Sequence, residues 1–190
     1  MREQPVKIAT SGILRIPRPC IVTIVPAGHR VTLPEGARVT LLQALGGTAT
    51  VTTADGEMAR LTPEDSIEFG FVSPAVAVAR DAASDEPFAV EQVWEAATSV
   101  YDPEIPVNIV ELGLVYRVDA SRMTTGGWRV EIDMSVTAPF CGMGDILRQD
   151  LHDAVAALAD VEEVDVALVL DPPWDVSRLS DVARLELGLM

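Results

Sequence analysis

The chain has 190 residues, of which 14 are basic and 29 are acidic, so its formal net charge is −15 at neutral pH. This acidity argues against a protein that binds the phosphate backbone of nucleic acid, because such binding needs clustered lysine and arginine. It also disfavours an anionic membrane surface. With 48% hydrophobic and 23% charged residues, the composition is that of a folded globular protein rather than a disordered one.

The start of the chain carries no signal for export or membrane insertion. Residues 21–25 form an apolar run of only five residues, which Pro26 ends. A signal peptide needs a longer apolar core, and a membrane span needs about 18–20 apolar residues. We therefore expect a cytoplasmic protein, in which the two distant cysteines Cys20 and Cys141 are thiols rather than a disulfide.

The first part of the chain, residues 1–79, is predicted to be a β-rich domain. It contains short segments rich in Val, Ile and Thr, separated by turn signals such as Asp55-Gly56. Six strands are expected, at residues 21–25, 31–33, 39–42, 48–53, 58–61 and 66–72. Many short strands with regular turns favour a small antiparallel barrel or sandwich. Residues 80–87, rich in Ala, Ser, Asp and Pro, are predicted to be a linker.

Residues 88–190 have a different pattern, which predicts the order α–β–β–α–β–α. A helix with Pro87 in its first turn, capped by Ser84 or Asp85, is followed by strands at about 114–119 and 128–137. A second helix is expected at 144–159, a third strand at 163–170 and a last helix at 177–187. Residues 128–137 alternate between apolar and polar side chains, with Ser135 on the polar side. The fold class predicted for the whole chain is α+β, with a three-stranded sheet covered by helices in this second domain.

Cys141 is the residue most suggestive of chemistry. It lies in Thr137-Ala138-Pro139-Phe140-Cys141-Gly142-Met143, between the alternating strand and the second helix. Unpaired backbone N–H groups and the helix dipole favour a thiolate at this position, and a thiolate binds soft metals. Nearby carboxylates such as Asp145 act in the opposite direction. The alternative is that Cys141 is a small buried apolar residue, as free cysteines often are.

A second segment, Asp102-Pro103-Glu104-Ile105-Pro106, is stiffened by two prolines, which fix where its carboxylates point. Asp102 and Glu104 are hard ligands that iron accepts, or they hydrogen-bond a neighbouring loop. A rigid connector with both carboxylates in solvent fits the composition equally well. His29 and His152 are not spaced to join Cys141 in one motif.

These segments resemble the iron–sulfur cluster assembly domain family. The motifs that carry the resemblance are residues 102–106 with 111–116, residues 137–143, and Asp171-Pro172-Pro173-Trp174. Cys20 and the turns at 26–28, 33–36 and 43–47 are similar to the extra β-rich domain of the long SufT-type members. Carried over by position, the resemblance implies that Cys141 binds iron or a cluster, with Asp102, Glu104 and Thr137 as its neighbours in the motif. Cys20 is the other candidate metal ligand.

The resemblance also implies a role and partners. The expected role is that of a non-enzymatic maturation factor that helps deliver clusters to apo-proteins, with SUF-type assembly proteins and apo iron–sulfur clients as partners. A cluster generally takes four protein ligands, and two cysteines in separate domains do not enclose one. A transient cluster is therefore shared between subunits, as in a homodimer, or completed by other ligands or by a partner.

Two alternatives remain open. One is a structural adaptor that recruits the assembly machinery to clients without binding iron. The other is a thiol-dependent enzyme with Cys141 as nucleophile, which needs a base within about 2.6–3.2 Å of the sulfur.

Overall fold

The computed structural model describes residues 12–73, 87–138 and 142–189. The chain divides into two compact units, one from Met1 to Ala79 and one from Arg80 to Met190. The predicted linker at residues 80–87 lies outside the described residues except for Pro87, so its extent stays a prediction.

The first unit is a six-stranded antiparallel sheet with one short helix. The strands are paired in the order β1-β4-β5-β6-β2-β3, which places β1 and β3 at the edges of the described sheet. The bounds are β1 (Ile13–Arg15), β2 (Cys20–Val25), β3 (Arg30–Leu33), β4 (Arg38–Leu45), β5 (Thr48–Thr53), β6 (Met58–Arg60) and α1 (Pro63–Glu68).

One face of this sheet forms the core of the first unit. Alternate residues of β2, β5 and β6 point to that face, among them Val22, Val51 and Ala59, which are almost fully buried. The predicted tight turn at Asp55-Gly56 joins β5 to β6, and Gly56 has a φ of +84°. Glycine adopts this left-handed conformation without the steric cost that a Cβ would add.

The strand predicted at residues 66–72 is wrong, because the chain there forms α1 and a turn. The Thr62 side chain accepts a hydrogen bond from the backbone N–H of Asp65 at 3.2 Å, and Pro63 opens the helix. These start signals, with Glu64 and Asp65 in the first turn, outweigh the β-propensity of the Ile and Phe residues that follow.

The second unit has the predicted order of elements, and the α+β fold class is confirmed. Its three-stranded sheet has the order β7-β8-β9, in which β8 is antiparallel to β7 and parallel to β9. The bounds are α2 (Val90–Thr98), β7 (Val115–Arg122), β8 (Trp128–Met134), α3 (Gly144–Ala156), β9 (Val161–Leu168), a 3₁₀ helix (Val176–Arg178) and α4 (Asp181–Glu186).

The alternation predicted along β8 is confirmed for its apolar side. Val130, Ile132 and Met134 are buried in one core with Leu147 and Leu151 of α3. On the other face, Arg117 of β7 and Arg129 of β8 form exposed ion pairs with neighbouring carboxylates. The amphipathic pattern of β8 therefore fixes which face of the sheet receives the helices.

Ser135 is the exception to this pattern. It was predicted on the wet face, but it is only 1% exposed. Its backbone N–H donates to the carbonyl of Leu114 at 2.8 Å, so the end of β8 is paired with the segment that leads into β7. Burial here comes from tertiary contacts that the alternation of a single strand does not reveal.

Two helix bounds also differ from prediction. Pro87 was expected in the first turn of the first helix, but it precedes that helix, which begins at Val90. Ala89 is the N-cap, and its backbone N–H donates to the Gln92 side chain at 3.1 Å. The last predicted helix is divided into a 3₁₀ turn and α4. The division falls at Ser180, whose side chain accepts from the N–H of Ala183 and so starts a new helix.

Candidate functional site

Asp102 organises the loop that follows α2. Its side chain is buried, and its Oδ1 accepts hydrogen bonds from the backbone N–H groups of Glu104, at 2.8 Å, and Ile105, at 2.9 Å. Its own N–H donates to the carbonyl of Val107 at 3.3 Å. The carboxylate closes a turn of its own backbone, which is a common use of Asp before a proline. Asp102 therefore holds the position of Glu104.

Glu104 is an exposed residue at the tip of this loop. Partial burial of the carboxyl raises its pKa above the ordinary value, and the negative charge of Asp102 adds to the rise. Both effects favour the protonated carboxyl, because burial and the charge of Asp102 each disfavour a negative charge on Glu104. The two acids predicted as site residues are thus neighbours with different roles.

The turn from Asn108 to Tyr116 is tied to the C-terminal segment. Asn108 Oδ1 accepts from the N–H groups of Val110 and Glu111, which orders the turn. The indole Nε1 of Trp174 donates to the carbonyl of Leu112 at 2.7 Å. Two of the three motif segments are therefore in direct contact, since Trp174 belongs to the Asp-Pro-Pro-Trp motif.

Further contacts strengthen this connection, which we call the C-terminal latch (Glu111, Gly113, Tyr116, Trp174, Arg178 and Ser180). The Ser180 N–H donates to the carbonyl of Glu111 at 3.0 Å, and its hydroxyl donates to the Glu111 carboxylate. The Arg178 guanidinium lies 3.8 Å from the ring centroid of Tyr116. Sequence reasoning missed Ser180 and Arg178, although the start signal Ser180-Asp181 of a helix is visible in the sequence.

Thr137 lies just beyond the end of β8, where it is half-buried, and Ala138 after it is exposed. Val136 is buried, and a Cβ placed on Gly144 would come within 3.2 Å of Val136 Cγ1. The start of α3 therefore packs closely against the exit of β8. The segment that contains Cys141 joins two elements that are fixed relative to each other.

Cys141 itself lies outside the described residues, together with Pro139 and Phe140. The described chain resumes at Gly142, and α3 begins at Gly144 with Met143 as its N-cap. No side chain caps this N-terminus among the described residues, so the first N–H groups of a 13-residue helix lack a side-chain acceptor there. Asp145 in the first turn forms an ion pair with Arg148 at 3.2 Å.

Cys20 lies in the other unit and is only 4% exposed, in the core of the sheet. Burial raises the pKa of its thiol, the charge of Asp65 adds to the rise, and Arg18 acts in the opposite direction. A protonated, buried thiol is a poor metal ligand. Arg18 binds Asp65 at 2.7 Å and Glu68 at 2.9 Å, which holds α1 against the segment before β2.

Two polar groups near the second sheet were not expected. The hydroxyl groups of Tyr116 and Ser135 are buried without a hydrogen-bond partner in the described part of the structure. Within the same residues, no group of three or more His, Cys, Asp or Glu side chains is arranged to hold a metal ion. No helix in the ranges 12–73, 87–138 and 142–189 is both long and apolar enough to span a bilayer.

Known proteins match the second unit. A family model described as "Iron-sulfur cluster assembly protein" matches residues 90–166. An Fe-S protein maturation auxiliary factor of Porphyromonas gingivalis is 37% identical over 100 residues, which are 53% of this chain and 91% of that protein. The factor YitW of Bacillus subtilis is 36% identical over 99 residues, 52% of this chain and 93% of that protein. The factor SufT of Staphylococcus aureus is 31% identical over 90 residues, 47% of this chain and 98% of that protein.

Among solved structures, a Bacillus anthracis domain of unknown function is similar with a TM-score of 0.46 and 30% identity, covering 53% of this chain and 92% of that one. The curated relatives are matched over almost their whole length at more than 30% identity. The chain belongs to the iron–sulfur cluster assembly protein family, which confirms the family resemblance.

Proposed function

We propose that this chain is an accessory factor in the maturation of iron–sulfur proteins and that it acts through Cys141. The observation that carries the proposal is the position of Cys141 within the family match at residues 90–166, three residues before the first residue of α3. Relatives that share this region are named Fe-S protein maturation auxiliary factors. Its cytoplasmic location is part of the proposal.

The described surroundings of the segment support a reactive thiolate. A helix of 13 residues begins at Gly144, and its first N–H groups carry a partial positive charge without a side-chain cap. Such a charge lowers the pKa of a nearby thiol, and the thiolate is the form that binds iron. Arg148 partly offsets the opposing charge of Asp145, with which it is paired.

The number of thiols limits what the chain does with its cargo. Of the two cysteines, Cys20 is buried in the first unit with a raised pKa, so Cys141 is the one thiol we assign to a cluster. A cluster generally needs four protein ligands. The remaining ligands therefore come from SUF-type assembly proteins, an apo-client or a second copy of this chain, and the cargo is passed on rather than stored.

Asp102, Glu104 and Thr137 have supporting roles in this proposal. Asp102 fixes the loop, and Glu104 presents at its tip a carboxyl group whose pKa is raised by partial burial and by the charge of Asp102. Thr137 stands at the start of the segment that carries the thiol.

The test is anaerobic reconstitution of the full chain with iron and sulfide, followed by absorption spectra and iron content. We expect the wild type and Cys20→Ser to retain iron and Cys141→Ser to lose it. Equal iron in all three proteins contradicts the proposal. Native mass measurement of the loaded protein then separates a cluster-linked dimer from a monomer.

A second candidate is a structural adaptor that does not bind iron. The C-terminal latch favours it, because the hydrogen bonds from Trp174 to Leu112 and from Ser180 to Glu111 hold two motif segments in a fixed arrangement that a partner protein can recognise. The two candidates differ in a client-maturation assay, because Cys141→Ser abolishes maturation in the first case and spares it in the second. A thiol-dependent enzyme has less support, since His152 lies eight residues beyond the start of α3, about 12 Å along the helix axis from the end that follows Cys141.

A further inference from the structure

A groove lies along a side of α2 that is not packed in the core of the second unit. Its volume is about 480 Å³, within the range of about 300–1,000 Å³ that is typical of ligand sites. The residues that line it include Glu91, Trp94, Glu95, Thr98 and Val110, and we call it the α2 groove. The helix itself is held by the burial of Val93 and Ala97 on another side.

The floor of the α2 groove is apolar. Trp94 and Val110 are both partly buried against the core of the unit, and both line the groove. The indole N–H of Trp94 has no acceptor among the described residues, in contrast to that of Trp174, which donates to the carbonyl of Leu112. A partly buried tryptophan usually has an acceptor for this group. The floor therefore offers an aromatic surface together with one hydrogen-bond donor.

The rim of the α2 groove is acidic. Glu91, Glu95 and Thr98 line it and are exposed residues. Their spacing of four and three residues places them in one row on the helix, where neighbouring side chains are about 5–6 Å apart at Cβ. A single planar cation in the groove is therefore within reach of both carboxylates.

Within residues 87–138 and 142–189, no basic side chain compensates these two acids. The six arginines of that part of the chain have partners elsewhere. Arg117, Arg129, Arg148 and Arg184 form ion pairs with other carboxylates, and Arg122 and Arg178 lie over the rings of Trp128 and Tyr116. Neither Glu91 nor Glu95 is in an ion pair with a described residue.

The charges on the rim act against the helix that carries them. Like charges four residues apart on a helix repel each other. Glu95 also lies in the last turn of α2, which has no basic residue and where the helix dipole disfavours a negative charge. The general acidity of the chain accounts for exposed glutamates, but not for two of them in one row above a tryptophan. Local patterns that oppose their own element are expected at functional sites.

We propose that the α2 groove binds an arginine side chain from a basic segment of a partner protein. The guanidinium group lies between the carboxylates of Glu91 and Glu95 and against the ring of Trp94, while its aliphatic stem contacts Val110. Arginine suits the groove better than lysine, because a planar guanidinium stacks on a ring and pairs with carboxylates at the same time.

The charge of the whole protein acts in the same direction as the groove. A net charge of −15 attracts a basic segment and repels both nucleic acid and an acidic peptide. Val110 belongs to the turn that Asn108 orders and is followed by Glu111 of the C-terminal latch, so a partner bound in the groove contacts a conformationally fixed surface. This inference goes beyond the role proposed for Cys141 and does not depend on it.

The test uses the full chain labelled with ¹⁵N-tryptophan, which gives three indole signals, and a capped ten-residue peptide of alternating arginine and alanine. We expect a saturable shift of the Trp94 signal that exceeds the shifts of Trp128 and Trp174, with a dissociation constant below about 1 mM. A capped peptide of alternating glutamine and alanine is expected to bind at least roughly fivefold more weakly, because it carries no charge.

Two variants test the groove itself. Glu91→Gln/Glu95→Gln is expected to weaken binding of the arginine peptide roughly fivefold, since each exposed charge pair contributes modestly. Thr98→Arg places the chain's own guanidinium group on the rim, three residues after Glu95, and is expected to weaken binding to a similar extent. Its melting temperature shows that the fold is retained, and we expect that temperature to rise, because a basic residue in the last turn of a helix is favourable.

The matched control is Glu35→Gln/Glu57→Gln, which removes the same charge from two exposed residues of the first unit and is expected to leave binding within about twofold. Equal weakening by the two double variants overturns the proposal, because general attraction to an acidic protein then accounts for binding. Equal affinity for the glutamine peptide, or no shift of Trp94, overturns it as well. A concentration-dependent dimer that Glu91→Gln/Glu95→Gln abolishes also overturns it and assigns the groove to a second copy of the chain.

Discussion

Gly113→Ala is expected to destabilise the second unit by releasing the C-terminal latch. Gly113 has a φ of +67°, and a Cβ at this position would overlap the carbonyl oxygen of Arg178 and lie 2.8 Å from its Cβ. An alanine in this left-handed conformation costs about 1–2 kcal/mol by itself. The 3₁₀ helix must also move, because its backbone is the obstacle.

Movement of the 3₁₀ helix weakens two hydrogen bonds, from Trp174 to Leu112 and from Ser180 to Glu111. Each contributes about 0.5–1.5 kcal/mol. Together with partial exposure of Leu179, now 5% exposed, the expected loss is about 3–5 kcal/mol of unfolding free energy. Urea unfolding followed by tryptophan fluorescence measures it, since all three tryptophans belong to the second unit.

Gly188→Ala is the matched control. Gly188 has a φ of +68°, almost the same as that of Gly113, but nothing lies within 4 Å of the position of its Cβ. The control therefore shows the backbone cost alone, about 1–2 kcal/mol. Equal loss of stability in the two variants would refute the argument from steric overlap.

Three further predictions follow from shifted pKa values. The pKa of Glu104 is raised in the folded chain, so its contribution to stability is present below the ordinary pKa of glutamate and is lost as the pH rises through the raised pKa. We expect Asp102→Asn to lower the pKa of Glu104, measured by a carbon-detected NMR titration, because it removes the nearby negative charge. An unchanged pKa contradicts this assignment. Arg18 lowers the pKa of Glu68, so the contribution of Glu68 to stability is present above pH 4.5 and is lost as the pH falls through the lowered pKa. We expect Arg18→Gln to remove this loss of stability in acid. A loss of stability in acid that persists in Arg18→Gln would point to another carboxylate. Cys20 in the folded chain is expected to react with iodoacetamide far more slowly than in urea, and comparable rates argue against its burial.

Much of the second unit could be predicted from local patterns. The alternation along β8 predicts both that it is a strand and which face meets α3, because only one register places all of its apolar side chains in the core. The pattern of Leu147, Leu151 and Val155 fixes the buried side of α3 in the same way. Each of these patterns is repeated over several residues, so the prediction of β8 and α3 does not depend on any single contact.

The contacts that connect the motifs could not be predicted. Glu111 and Ser180 are 69 residues apart in the chain, and nothing in either segment alone shows that they meet. The helix α1 was missed because Thr62-Pro63 is a short start signal beside residues that favour strands. The alternation of β8 predicts a solvent-facing Ser135, but this residue is buried, because its surroundings depend on the segment around Leu114, to whose carbonyl its backbone N–H donates.

In the role proposed for Cys141, the chain holds its cargo weakly, because one thiolate comes from this chain and the other ligands of a cluster come from outside it. A weak hold suits transfer, since the cluster leaves when a client supplies more ligands than this chain does. Under this proposal, Cys141→Ser removes iron from the reconstituted protein, whereas Cys20→Ser retains it, because the Cys20 thiol is buried in the core of the first unit.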